Sequence, residues 1–229
     1  RAVVSQDLAR RGKVPIAPGQ QDSHGGTSPR PPANHREEAA TLTNLANLLL
    51  ELGEQRKALS YYEQVLGQWR ADADTYGEAR ALSNMGLAYA QLGEPQRALA
   101  QFEQSLAVWE KLGNRRQKAD TLNFLGLTYD GLGEWQKALE HFTQARTLYL
   151  ANANRRGEAT VIHNLGLVYA KFGEHKRATE HYQQALTIWR ELGNRREEAN
   201  TLSQIGLVEA QQGNPAQALT LYQQSLKLW

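Results

Sequence analysis

Between Gly77 and Arg116 the apolar residues fall into two sets, each at helical spacing. Leu82, Met85, Leu87, Ala88, Tyr89 and Leu92 share one helix face, and Ala98, Leu99, Phe102, Leu106 and Trp109 share another. Gly93 separates the sets and supplies the left-handed residue that ends the first helix. Pro95 stands at the first position of the second helix, where its missing N–H has no intrahelical partner to lose. Leu112-Gly113 closes that helix. Asn114, three residues before Gln117, then reads as a capping box for the next one, as do Asn34 before Glu37 and Asn194 before Glu197. The pattern predicts two antiparallel helices, A and B, near residues 36–51 and 55–71 in their first occurrence.

Steps of 40 residues reproduce this segment without a gap as Glu37–Tyr76, Gly77–Arg116, Gln117–Arg156, Gly157–Arg196 and a shortened Glu197–Trp229. Gly53, Gly93, Gly133, Gly173 and Gly213 recur at the A-to-B turn, and Ala58, Ala98, Ala138, Ala178 and Ala218 recur on helix B. Tyr62, Phe102, Phe142, Tyr182 and Tyr222 form one aromatic series, and Trp69, Trp109, Tyr149, Trp189 and Trp229 another. Such a period marks a solenoid, in which each unit buries its apolar face by stacking on its neighbours. Gly86, Gly126, Gly166 and Gly206, with Ala46 in the first copy, lie mid-helix. Glycine there costs roughly 1 kcal/mol against alanine, so a neighbour is expected to approach closely. The first aromatic series and the helix B alanines are expected core.

Charge divides the chain. Residues 1–36 hold six Lys/Arg against two Asp, while residues 37–229 hold 20 against 22, so the repeats are near neutral. That argues against duplex DNA, which requires a broad basic face. Residues 12–34 are rich in Gly, Pro, Ser, Gln and Asn, with Val14 and Ile16 their only large aliphatics, so 1–36 reads as a flexible basic leader. Val3, Val4 and Leu8 could add one helical turn to it. Cysteine is absent, which removes disulfide and thiolate chemistry. No apolar run suits a membrane span or secretion signal, and a cytoplasmic location is expected. The initial Arg1 and the incomplete last unit read as cuts from something longer.

Asn84-Met85-Gly86, Tyr89, Gly93, Ala98, Phe102 and Leu106 resemble the tetratricopeptide repeat, and the likeness runs five times over residues 37–229. The units depart from the usual one in length and in lacking the proline that closes helix B. They look like the 40-residue variety found in kinesin light chains, Leu-Gly-Asn-repeat spindle adaptors, rapsyn and bacterial multidomain regulators. Leu112-Gly113-Asn114 and Leu192-Gly193-Asn194 carry that last likeness. The resemblance implies an all-α fold: a right-handed superhelix, or α-solenoid, of five helix–turn–helix repeats whose A helices line a concave groove for an extended peptide.

By the same resemblance, Arg80, Ser83, Asn84, Leu87 and Gln91 face the groove in the second unit. Asn44, Asn84, Asn164 and Gln204 then form an amide row, broken by Phe124. Amides suit a peptide backbone because they both donate and accept; alternatively they bridge adjacent A helices. Asn47, Leu87, Leu127, Leu167 and Leu207 form a mostly apolar row, either an exposed partner site or inter-repeat packing. Charge on this face is limited to Glu51, Arg80, Asp120, Asp130, Lys171 and His163. A clamp for a terminal carboxylate is not expected, because the matching positions are Thr43, Asn47, Asn84, Asn123 and Leu127. Asp120 and Asp130 would instead favour a Lys or Arg of the ligand. The candidate peptide-binding set is Asn44, Asn47, Arg80, Asn84, Leu87, Asp120, Asn123, Asp130, His163, Asn164, Leu167 and Gln204.

The Arg115-Arg116, Arg155-Arg156 and Arg195-Arg196 doublets fall in B-to-A connections, as a basic rim or a solvated edge. No nucleophile, phosphate-loop or zinc-ligand motif is present, so no enzyme, cofactor or metal is expected. The expected function is a non-catalytic scaffold for a protein or peptide partner, with no nucleic acid and no membrane. The alternative is a regulatory sensor module of a larger bacterial signalling protein, linked to an ATPase or protease. Leu228 and Trp229, with no further A helix to cover them, suggest self-association through the C-terminal end.

Overall fold

The computed structural model describes residues 33–229, so the leader reading falls outside the described residues as far as residue 32. The chain divides after Gly113 into two compact units. Unit 1 contains α1 (Ala33–Glu51), α2 (Gln55–Ala71), α3 (Thr75–Gln91) and α4 (Pro95–Lys111). Unit 2 contains α5 (Arg115–Gly131), α6 (Trp135–Ala151), α7 (Arg155–Lys171), α8 (His175–Glu191), α9 (Arg195–Gln211) and α10 (Pro215–Leu226). Odd-numbered helices are the A helices. The described residues form ten helices and no strand, an all-α helical-repeat fold.

Helix ends follow from local chemistry. Gly93 adopts φ +74°, its N–H reaches the Ala90 carbonyl, and the Glu94 N–H reaches back to Tyr89, which satisfies carbonyls that α3 leaves open. Four A helices start on a side-chain cap. Asp74, Asn114, Asn154 and Asn194 each accept from the backbone N–H three residues on, at 2.8 to 3.3 Å. The expected cap at Asn34 falls outside the residues whose side chains are described. B helices start differently. Glu54, Glu94, Glu134 and Glu174 make no side-chain cap bond and pair instead with the cation three residues on. In the B-to-A connections, Ala73 and Ala153 take φ +52° where Gly113 and Gly193 take φ +63°.

Mid-helix glycines make room for the aromatics of helix B. A Cβ on Gly86 would stand 2.5 Å from the Phe102 ring, and one on Gly126 would stand 2.5 Å from Phe142. The same contact joins Gly166 to Tyr182, at 2.8 Å. In unit 1 a core cluster packs Leu59, Tyr62, Val65 and Leu66 of α2 against Ala81, Leu82, Met85 and Ala88 of α3. In unit 2, Ala178, Tyr182 and Leu186 of α8 pack on Leu202, Ile205 and Val208 of α9. Burying a side chain of this size contributes about 1.5–3 kcal/mol, so stacking rather than helix propensity stabilises each repeat. No described helix is long and apolar enough to cross a membrane.

Candidate functional site

The candidate residues lie on the A helices, and within each unit several of them meet a side chain of a neighbouring A helix. In unit 1, Asn47 on α1 meets Asn84 on α3. The Asn84 amide donates to Asn47 Oδ1 at 3.0 Å, and the buried Tyr62 hydroxyl donates to the same oxygen at 2.6 Å. Burial pushes the Tyr62 hydroxyl pKa up, and Arg80 opposes the shift. Asn44 is exposed, while Asn47, Arg80 and Asn84 are half-buried; Leu87 is buried. Ser105 donates to the Ala79 carbonyl, so Ser83 must be the donor in the 2.6 Å contact between the two hydroxyls.

In unit 2 the polar residues are tied more deeply. Asn164 on α7 donates to Asn123 Oδ1 on α5 at 3.0 Å, and these side chains are 1% and 4% exposed. Lys171 on α7 reaches both carboxylate oxygens of buried Asp130 on α5, at 2.7 and 2.5 Å. His163, 6% exposed, lies 3.0 Å from the Thr201 hydroxyl of α9. That hydroxyl already donates to the Glu197 carbonyl, so His163 carries its proton on Nδ1 and donates to Thr201. Asp120 is half-buried and accepts from the Tyr149 hydroxyl at 2.7 Å. Burial pushes the Asp120 carboxyl up, while the Tyr149 hydrogen bond and Arg116 pull it back. Leu167 is half-buried against the α8–α9 core, Gln204 is half-buried, and Leu207 is exposed.

The expected amide row therefore does not link along its own positions. Asn84 bonds to Asn47 and Asn164 bonds to Asn123, each to a residue of the neighbouring A helix from a different row. Asp130, expected to attract a ligand cation, holds Lys171 of its own chain. Tyr62, Tyr149 and Thr201 were not candidates, yet each fixes one that was. Tyr149 had a signal: it stands where the four other units carry Trp and its unit alone has Asp at the position of Asp120. Among the described residues no group of three His, Asp or Glu could hold a metal ion.

Two tetratricopeptide-repeat profiles match the sequence, one over residues 77–151 and 157–229 and the other over 43–108. The chain belongs to the tetratricopeptide-repeat family. A comparison with curated proteins finds no match. Among solved structures, this tetratricopeptide protein is similar to BtubC (BKLC) from P. vanneervenii, with 20% identity, TM-score 0.76 and 85% of each chain covered. It is also similar to a Podosopora anserina putative kinesin light chain with nearly identical TPR-like repeats, at 18% identity and TM-score 0.69, covering 83% of this chain and 94% of that one. A third is a Signal Transduction ATPase with Numerous Domains from Pyrococcus horikoshii that has a tetratricopeptide repeat sensor. There the identity is 16% and the TM-score 0.72, with 79% of this chain and 28% of that one covered. At these identities the likeness shows the fold. Tetratricopeptide repeats are generally non-catalytic protein-interaction modules, and the chain is a scaffold of that general kind.

Proposed function

We propose that this chain binds an extended peptide or partner helix along the inner face of its A helices, in the cytoplasm and without catalysing a reaction. The observation that supports this most is the accessible polar patch of unit 1. Among the described residues Asn47 uses only its carbonyl oxygen, which leaves both N–H groups of its amide for a ligand, and Asn44, Arg80 and Asn84 lie on the same two helices. A peptide backbone presents alternating donors and acceptors that such amides match. In unit 2 the half-buried Asp120, Leu167 and Gln204 contact the ligand, while buried Asn123, Asp130, His163 and Asn164 hold the A helices in register. Peptides selected from a random library against the full chain should lose affinity when Arg80 and Asn84 are both changed to Ala. Undiminished binding by every selected peptide would rule out this face.

A second reading is a sensor module within a larger signalling protein, favoured by the likeness to the signal-transduction ATPase with a tetratricopeptide sensor. The coding sequence around these repeats tests it: an adjoining ATPase or protease domain supports the sensor, and a lone array opposes it. We also propose that exposed Trp229, with exposed Leu226 beside it, contacts a second copy; Leu228, expected to share that contact, packs against the α8–α9 core. Sedimentation should then show an association that weakens in Trp229→Ala; a monomer at every concentration would contradict it.

A further inference from the structure

The A helices of unit 2 begin against a local rule. α5, α7 and α9 open with Arg115-Arg116, Arg155-Arg156 and Arg195-Arg196, at the helix end where the backbone dipole disfavours cations. In unit 1, α3 opens with Thr75-Tyr76, and Tyr76 packs edge-on against Trp109 at 5.1 Å between ring centres. Within two of the doublets the first arginine is engaged. Arg155 bridges Glu158 at 2.7 Å and Glu191 at 2.6 Å, and Arg195 donates to the Lys227 carbonyl at 3.4 Å. The second is not. Arg116, Arg156 and Arg196 are exposed and make no ion pair or hydrogen bond among the described residues; Arg116 acts only at range on Asp120. Residues that break a local rule without internal compensation are expected at functional surfaces.

The rest of the edge narrows the partner. Unit 2 holds 14 Lys/Arg against 11 Asp/Glu, whereas residues 33–113 hold seven against 11. The excess sits at this edge, where seven arginines and Lys118 face four glutamates. Leu150, in the last turn of α6, is 51% exposed, and Leu192, at the end of α8, is 44% exposed, both in the connections that carry the doublets. α7 packs against both α5 and α9. Packed helices lie about 10 Å apart, so successive unpaired arginines stand at about the span of three residues of an extended chain.

We propose that this edge of unit 2 is a second docking surface, separate from the inner face, for an extended acidic protein segment. Its carboxylates, spaced every third residue, meet Arg116, Arg156 and Arg196, and aliphatic side chains between them cover Leu150 and Leu192. Nucleic acid fits the surface less well, because bases stack on aromatic rings, whereas Leu150 and Leu192, exposed in the connections between these helices, are aliphatic.

The test uses the full chain and a fluorescein-labelled peptide of repeated Glu-Leu-Ser triplets, with a Gln-Leu-Ser peptide and oligo(dT) as comparators. Anisotropy should show the Glu peptide binding more tightly than either comparator. Substitution R116Q/R156Q/R196Q should weaken it roughly tenfold and flatten its salt dependence. L150S/L192S should weaken it severalfold. Because the arginines oppose the helix dipole, the triple Gln variant should keep its helical circular dichroism and melt no lower than the parent. Failure of the parent to bind the Glu peptide, or unchanged binding by the triple variant, overturns the proposal. Equal binding of oligo(dT), with L150S/L192S unaffected, also overturns it and leaves a general polyanion surface.

Discussion

Tyr62 in unit 1 and Tyr182 in unit 2 occupy the same place in their repeats and are equally buried, yet their hydroxyls end differently. Tyr62 donates to Asn47 at 2.6 Å. The residue at the corresponding position in the later repeat is Leu167, and the Tyr182 hydroxyl is buried without a partner among the described residues. Burial pushes both hydroxyl pKa values up; Arg80 opposes the shift at Tyr62, and Asp130 adds to it at Tyr182. Phe102 and Phe142 face Leu87 and Leu127 at the same positions, so those repeats remove the hydroxyl together with its acceptor. Ring packing over the mid-helix small residue is thus common to the repeats. Polar satisfaction is settled repeat by repeat.

The largest effect should come from breaking the satisfied site. Asn47→Leu leaves the Tyr62 hydroxyl and the Asn84 amide without their acceptor, and should cost about 2 kcal/mol in urea unfolding. Next comes the ion pair of unit 2. Lys171→Met leaves the buried Asp130 carboxylate unpaired, and should cost about 1–2 kcal/mol by the same measurement, since Lys171 itself is well exposed. The two tyrosines then sharpen the contrast. Tyr62→Phe should lose about 1 kcal/mol, whereas Tyr182→Phe removes an unsatisfied group and should be neutral or stabilising by up to about 1 kcal/mol. Equal losses in the two variants would show that Tyr182 has an acceptor after all.

The smallest effect concerns Asp120, whose carboxyl is raised chiefly by burial. A carboxyl with a raised folded value contributes its stability in full below the ordinary carboxylate range and loses it as pH rises through the raised value. Asp120→Asn should therefore gain stability relative to the parent as pH rises from acid to neutral. A difference independent of pH would contradict that assignment.

The elements were legible because each is signalled locally. Gly93 and Pro95 announce a turn and a start, Asn114 and Asn194 announce caps, and Gly86 announces the closeness of Phe102. The ties between A helices were not legible from a strict step of 40 residues. Asn84 and Asn47 are 37 positions apart, and Asn164 and Asn123 are 41 apart. Side chains of packed helices interdigitate, so a residue meets a neighbour displaced along the partner helix rather than its own counterpart. Pairs that change together were readable in principle. Ser83 with Ser105 and Ser203 with Ser225 are the two units with serine at both positions, and both pairs are bonded. Burial was the other missing quantity. Asn164 and Asn84 are identical in sequence role, but the first is buried and the second half-buried.

The central claim is that a protein ligand lies on the inner face of the A helices. A photo-crosslinking residue placed at Asn44, exposed on α1, and in a second variant at Glu63, exposed on α2, tests it with a library-selected peptide and the full chain. Covalent capture from position 44 and little from position 63 is the predicted result. Capture from position 63 alone would contradict it.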